Sequence, residues 1–147
     1  MSWTICLFHI VIGTKYHQPT ISEEHCRDLY GYIYGYLKAK KAFVHRINGM
    51  PDHIHILVDL HPSTNISDLI RDLKLATNRY IKEHHDWYPM FSSWEKEYYA
   101  SSESKAELEV IKEYIINQKE HHKRLSWRDE LLQLAAKNGI VIDERYL

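Results

Sequence analysis

Cysteine is scarce in this 147-residue chain, which has only Cys6 and Cys26. Two are too few for a disulfide framework or a cysteine-rich zinc module. Glycine (5) and proline (4) are also sparse, and no internal repeat, low-complexity tract or linker interrupts the sequence. Neither charge sign dominates: 19 Lys and Arg stand against 20 Asp and Glu. That balance excludes an indiscriminate polyelectrolyte binder of nucleic acid, which would carry a clear positive excess. The apolar stretch Met1–Gly13 lacks the basic leader and cleavage site of a signal peptide and is too short to span a bilayer. A buried strand is the better reading, and unpaired cysteines point to a reducing cytoplasm.

What is present fits one ordinary globular domain covering residues 1–147, 44% hydrophobic and 27% charged. At this length a chain buries roughly 68–70% of its unfolded surface and needs no covalent staple. The conspicuous excess is in imidazole and phenol, with 11 His and 11 Tyr.

Periodicity predicts strands at Trp3–Gly13, Ala42–Ile47, His53–Leu60 and Phe91–Ser101. Helices are predicted at Ser22–Lys40, Ser67–His85, Ser104–His122 and Ser126–Asn138. Capping boxes are expected at Thr20–Glu23 and Ser104–Glu107, and Asn138-Gly139 should stop the last helix. Residues 126–147 are thus a C-terminal helix and tail. The order β-α-β-β-α-β-α-α suits an α+β fold, a ferredoxin-like, RRM-like four-stranded antiparallel sheet with two helices on one face.

Chemistry gathers on His53-Ile54-His55-Ile56-Leu57-Val58-Asp59. Alternation places Ile54, Ile56 and Val58 on one face and His53, His55, Leu57 and Asp59 on the other. Two imidazoles one strand repeat apart can share a metal ion. The pattern is weak alone, because eleven histidines give about 0.8 such matches by chance. In the helix Ser104–His122, Tyr114 and Gln118 stand four residues apart on one face, offering a hydroxyl nucleophile and a carbonyl ligand. His121 and His122 follow one turn later and are expected near the metal's outer shell or at the surface.

Basic residues form two clusters. Lys38, Lys40, Lys41 and Arg46 lie in one acid-free stretch, and Lys119, Lys123, Arg124 and Arg128 surround a single Glu120. Either could neutralise phosphates, or be a solvated helix end. Trp127 is a candidate to stack on unpaired bases, whereas Phe43 is expected in the core.

Gly49-Met50-Pro51-Asp52-His53-Ile54-His55-Ile56-Leu57-Val58 resembles the HUH strand of the small single-tyrosine transposases, which move insertion sequences as single-stranded DNA. Gly13-Thr14-Lys15-Tyr16, Ser67-Asp68-Leu69-Ile70-Arg71-Asp72-Leu73-Lys74, Trp94-Glu95-Lys96-Glu97-Tyr98 and Tyr114-Ile115-Ile116-Asn117-Gln118-Lys119-Glu120-His121-His122 resemble other segments of that family, in the same order. Glu97 departs from it, standing where the family often has glycine.

The resemblance implies that His53, His55 and Gln118 hold Mg²⁺ or Mn²⁺ and that Tyr114 is the nucleophile, forming a 5′-phosphotyrosine. By themselves, the imidazoles would favour zinc or another late transition metal. It also implies a prokaryotic cytoplasmic protein, single-stranded or hairpin DNA as partner, a DNA-contacting helix that includes Lys74, and a homodimer in which Tyr114 can act in trans. The tyrosine helix would cover the sheet face opposite the first two helices. Competing readings are a domesticated hairpin-binding relative, a zinc-dependent hydrolase and a non-catalytic RNA-binding module.

Overall fold

The computed structural model describes residues 2–123 and 125–143. Four strands, β1 (Leu7–Thr14), β2 (Phe43–Met50), β3 (His53–Asp59) and β4 (Trp94–Ser102), form one antiparallel sheet in the order β2-β3-β1-β4. Helices α1 (Cys26–Ala39) and α2 (Ile66–Glu83) connect β1 to β2 and β3 to β4. This is the ferredoxin-like βαββαβ arrangement that the order of elements predicts.

One face is hydrocarbon. Ile10 and Ile12 of β1 and Ile54, Ile56 and Val58 of β3 pack against Leu29, Ile33 and Leu37 of α1 and Leu69, Ile70, Leu73 and Ile81 of α2. The 29/33/37 spacing presents one stripe of α1 to the sheet. The other face carries Leu7, His9, Val11, His53, His55 and Leu57, all buried.

Three helices cover this second face: α3 (Leu108–Ile116), α4 (Gln118–His121) and α5 (Trp127–Lys137). Ile111 and Ile115 of α3 pack on Leu7 and Leu57. Trp127, Leu131 and Leu134 of α5 pack with Val11 and Tyr99. The face left over by the first two helices is therefore closed by the C-terminal third of the same chain.

Several local expectations need correction. The Thr20–Glu23 capping box does not form, since α1 begins at Cys26 behind His25 with no side-chain cap. Ile21 is buried without being helical. At Ser104–Glu107 a 3-10 turn, also uncapped, precedes α3. The expected helix Ser104–His122 breaks at Asn117, because Asn48 of β2 donates to the carbonyls of Ile115 (3.0 Å) and Ile116 (3.3 Å). Those orphan carbonyls at the end of α3 are thus satisfied across the sheet edge rather than by further helix.

Other ends follow the chemistry more closely. Asn65 caps α2, its side chain accepting from Asp68 N–H, and Ser126 caps α5 from Asp129 N–H. At the end of α5, Gly139 adopts φ 68°. Ile140 N–H reaches the Ala135 carbonyl at 2.8 Å and Gly139 N–H the Ala136 carbonyl at 3.2 Å, a Schellman stop. Phe43, expected in the core, is 65% exposed and lies against His45 with ring centroids 4.8 Å apart. Among the described residues, no helix is long and apolar enough to cross a membrane.

Candidate active site

The antiparallel register sets the site. Val11 pairs with His55 and Gly13 with His53, so both imidazoles rise from the middle of the covered face. Gly13 leaves room above its strand: a Cβ there would lie 3.0 Å from Trp127 Nε1 and 3.1 Å from a Glu95 oxygen. Trp127 uses that space to lie flat on His53, with centroids 4.3 Å apart and planes 11° apart. It is 3% exposed and so cannot stack on bases; this corrects its expected role.

Each imidazole is held from behind. Asp52 Oδ1 lies 2.6 Å from His53 Nδ1, and His9 Nε2 lies 2.7 Å from His55 Nδ1. These contacts leave both Nε2 atoms facing the centre, an arrangement that orients metal-binding histidines elsewhere.

At the centre is Glu130 of α5, fully buried. Its Oε1 is 2.9 Å from His53 Nε2 and 3.0 Å from His55 Nε2. His122 Nε2 is also 3.0 Å from that oxygen. Its Oε2 accepts from the Gln118 amide at 3.0 Å and from the Tyr114 hydroxyl. Gln118 is buried, with Oε1 3.2 Å from His53 Nε2. Although the helix breaks between them, Tyr114 and Gln118 still arrive on one side of the sheet. Tyr114 reaches the imidazoles of its own chain, its ring centroid 5.8 Å from that of His55.

The electrostatics follow from burial and these contacts. Burial works against ionised Glu130, but hydrogen bonds from His122, His53 and His55 outweigh it and keep the carboxylate charged. Burial likewise opposes charge on His53, yet Asp52 and Glu130 raise its pKa above the usual histidine value. His55, more deeply enclosed, is pushed down to about 4 by burial, with Glu130 opposing and His53 and His122 adding to the shift. Burial and the His55 charge take His9 to about 3. Burial and the Glu130 charge push the Tyr114 phenol above its normal range. Activating that phenol therefore needs added positive charge.

The donor set fits a divalent cation. One ligand atom from each of His53, His55 and Glu130 lies within 4.8 Å of the others, and the Gln118 carbonyl oxygen borders them. Mixed nitrogen and oxygen donors with backing partners on each imidazole are what such ions require.

The cationic candidates divide. Arg46 of β2 and Lys119 of α4 line one groove of about 500 Å³, together with Arg27, Tyr30 and Asn117. Lys38, Lys40 and Lys41 are exposed at the far end of α1 and do not line it. Lys123 is exposed and paired with Glu120 at 3.0 Å. Lys74 is turned inward, its ammonium donating to the carbonyls of Glu95 (2.7 Å) and Lys96 (3.0 Å). Arg124 and the His121 side chain lie outside the described residues.

Glu130 and His9 were not among the sequence candidates. A signal existed for both. Glu130 is an acid inside the stripe Trp127, Leu131, Leu134 that α5 turns inward, and His9 shares the alternating face of Leu7 and Val11.

The chain matches the family described as "Transposase IS200 like" over residues 2–118. No curated protein matches it. Similar solved structures include the following two. One is described as a "putative transposase" from Deinococcus radiodurans R1, with TM-score 0.63, 23% identity, and 80% of this chain and 93% of that one covered. The other is a REP-associated tyrosine transposase bound to a REP hairpin, with TM-score 0.64, 10% identity, and 85% and 73% covered. At these identities the two structures speak for the fold alone. The family match spans most of the chain, and it ends at Gln118, the residue that brings the amide to the imidazole pair. This chain belongs to the IS200-like transposase family.

Proposed function

We propose that this protein nicks and rejoins single-stranded DNA through a covalent 5′-phosphotyrosine on Tyr114. The observation that carries the reading is the convergence of one phenol, two imidazoles, one carboxylate and one amide at a single buried point in a chain of this family. His53, His55, Glu130 and Gln118 would hold Mg²⁺ or Mn²⁺. When bound, the ion supplies Lewis acidity and orientation to the scissile phosphate.

The residues have separable tasks. Asp52 and His9 fix the two imidazoles. Gln118 and Glu130 hold the Tyr114 hydroxyl beside them. Attack by the Tyr114 oxygen on phosphorus makes the phosphotyrosine ester and breaks the bond to the 3′ oxygen, which leaves as a 3′-hydroxyl. The new ester conserves the bond energy, so a second 3′-hydroxyl can displace tyrosine without a nucleotide cofactor.

Single-stranded or hairpin DNA is the proposed partner, and the groove lined by Arg27, Arg46 and Lys119 is its proposed path. A prokaryotic cytoplasm is the proposed compartment. A homodimer is compatible with this reading, and the placement of Tyr114 within its own chain supports attack in cis.

The test is incubation with Mn²⁺ or Mg²⁺ and single-stranded oligonucleotides carrying the hairpin ends of the flanking genomic element. A covalent adduct that is lost in Tyr114→Phe is expected. Metal-dependent cleavage that survives in Tyr114→Phe would instead establish a zinc-type hydrolase. Tight hairpin binding with no adduct would establish a domesticated binding relative.

A further inference from the structure

We infer that His122 is a third imidazole ligand of the metal centre, so that the site favours a first-row transition ion over Mg²⁺. The inference rests on the metal reading above and goes beyond it in ligand number and ion class.

The geometry carries it. Three Nε2 atoms surround one oxygen: His53 at 2.9 Å, His55 at 3.0 Å and His122 at 3.0 Å from Glu130 Oε1. His122 thus shares the Glu130 oxygen with the strand histidines, although only His53, His55 and Glu130 have ligand atoms all within 4.8 Å of one another, so His122 approaches the oxygen from a different side. Its side chain is 5% exposed, and its ring stands edge-on to that of His53 with centroids 4.7 Å apart. His53 and His55 hold nearly the same relation, at 5.1 Å.

The chain builds this position deliberately from two local features. The break at Asn117 restarts the helix at Gln118, and the His122 N–H then closes on the Gln118 carbonyl at 3.0 Å. Gln118 and His122, four residues apart, thereby face the same centre. One supplies an amide oxygen and the other an imidazole nitrogen.

Three imidazoles around a carboxylate are a poor match for Mg²⁺, which takes oxygen ligands and keeps several waters. They are a better match for Co²⁺ or Zn²⁺, which stand above Mn²⁺ in the usual affinity series. Imidazole nitrogen binds Zn²⁺ at about 2.0–2.1 Å. His53, His55 and His122 would therefore have to converge further to share one cation, with Glu130 remaining beside it as an oxygen donor.

The simpler account is that His122 only donates a hydrogen bond to Glu130. The two accounts separate in a binding experiment on the full-length, metal-depleted protein. Co²⁺ is titrated and followed by its visible absorption, Mg²⁺ is titrated by calorimetry, and Cu²⁺-loaded protein is examined by electron paramagnetic resonance for the number of coupled nitrogens. His122→Ala and His122→Gln are compared with wild type, and circular dichroism checks folding. His122→Gln keeps a hydrogen-bond donor without an imidazole.

Expected are three coupled nitrogens in wild type and two in both variants. Co²⁺ affinity should fall by at least the roughly 10–100-fold that loss of even an outer partner costs, while Mg²⁺ binding stays weak and unchanged. Equal Co²⁺ affinity and spectra in wild type and His122→Gln would overturn the inference while leaving the metal reading intact. Wild type that binds no divalent ion would overturn both.

Discussion

Tyr114 donates its hydroxyl hydrogen bond to Oε2 of Glu130 in α5, while Oε1 of the same carboxylate meets His53 and His55. One buried side chain thus ties the phenol to the imidazoles. Removing it takes one buried partner each from His53, His55, His122, Gln118 and Tyr114. Glu130→Ala should lower stability by about 3–5 kcal/mol, the range for breaking a buried ionic pair by deleting one member. Urea unfolding of the metal-free protein measures this. A loss under about 1 kcal/mol, the value of an exposed pair, would show that the imidazoles find other acceptors or water.

His9 stands behind His55 as Asp52 stands behind His53. His9→Gln should leave the fold intact and weaken divalent-ion binding by roughly 10–100-fold, as loss of an outer-shell partner does. Calorimetric titration with Mn²⁺ reads it. Unchanged affinity would mean that packing around His55 fixes its ring without help from His9.

How much of this was legible beforehand depended on whether a residue's environment is set locally. The alternation of β3 placed His53 and His55 on one face and Ile54, Ile56 and Val58 on the other, and the burial pattern agrees. Gly139 at the end of α5 was equally local. Glu130 was not, because what makes it part of the site is the docking of α5 over β3, a contact 75 residues apart in sequence. The capping boxes failed for a related reason. Local capping bonds are worth about 1 kcal/mol, and at Thr20–Glu23 the Ile21 N–H instead bonds to the Pro51 carbonyl and the Ser22 hydroxyl to the Trp87 carbonyl. Trp127 misled because an aromatic beside cations reads as a base-stacking residue until the small Gly13 opposite it is known to make room.

Arg27, Arg46 and Lys119 line one groove, although they come from three separate elements. Each cation that neutralises a phosphate should contribute a slope of about 0.7 to the salt dependence of single-strand binding. Arg46→Ala with Lys119→Ala should therefore flatten the plot of log affinity against log salt by about 1.4, with loss of affinity that is uniform across sequences. Fluorescence anisotropy of an unpaired single-stranded oligonucleotide at several salt concentrations tests this. A slope that changes only in the Lys38→Ala, Lys40→Ala, Lys41→Ala triple variant would move the DNA path to the far end of α1.

Because Tyr114 meets His53 and His55 of its own chain, mixing inactive variants should not restore activity. Tyr114→Phe combined with His53→Ala should form no adduct above either variant alone. Recovery approaching one quarter to one half of wild type would mean that α3 crosses to a partner and that attack runs in trans.

Glu95 gives the fold an unusual acid–base signature outside the His53, His55 and Glu130 cluster. Burial lifts its carboxyl from 4.5 to about 7, Lys74 opposes this only in part, and Glu97 adds to it. The Lys74 ammonium donates to the backbone carbonyls of Glu95 and Lys96. His17 lies 3.8 Å away and supplies positive charge only when protonated. The folded state thus holds a proton on Glu95 more tightly than the unfolded chain does. Its contribution is fully present below about pH 4.5 and is lost as pH rises through about 7. His55 and His9 act in the opposite sense, losing stability as pH falls below their unfolded value toward about 4 and about 3. Comparing Glu95→Gln with wild type cancels those histidine terms. The variant keeps a neutral side chain of the same size, so its melting temperature should gain on wild type between pH 4.5 and pH 8. A melting difference that is constant over that interval would place Glu95 in water as an ordinary carboxylate.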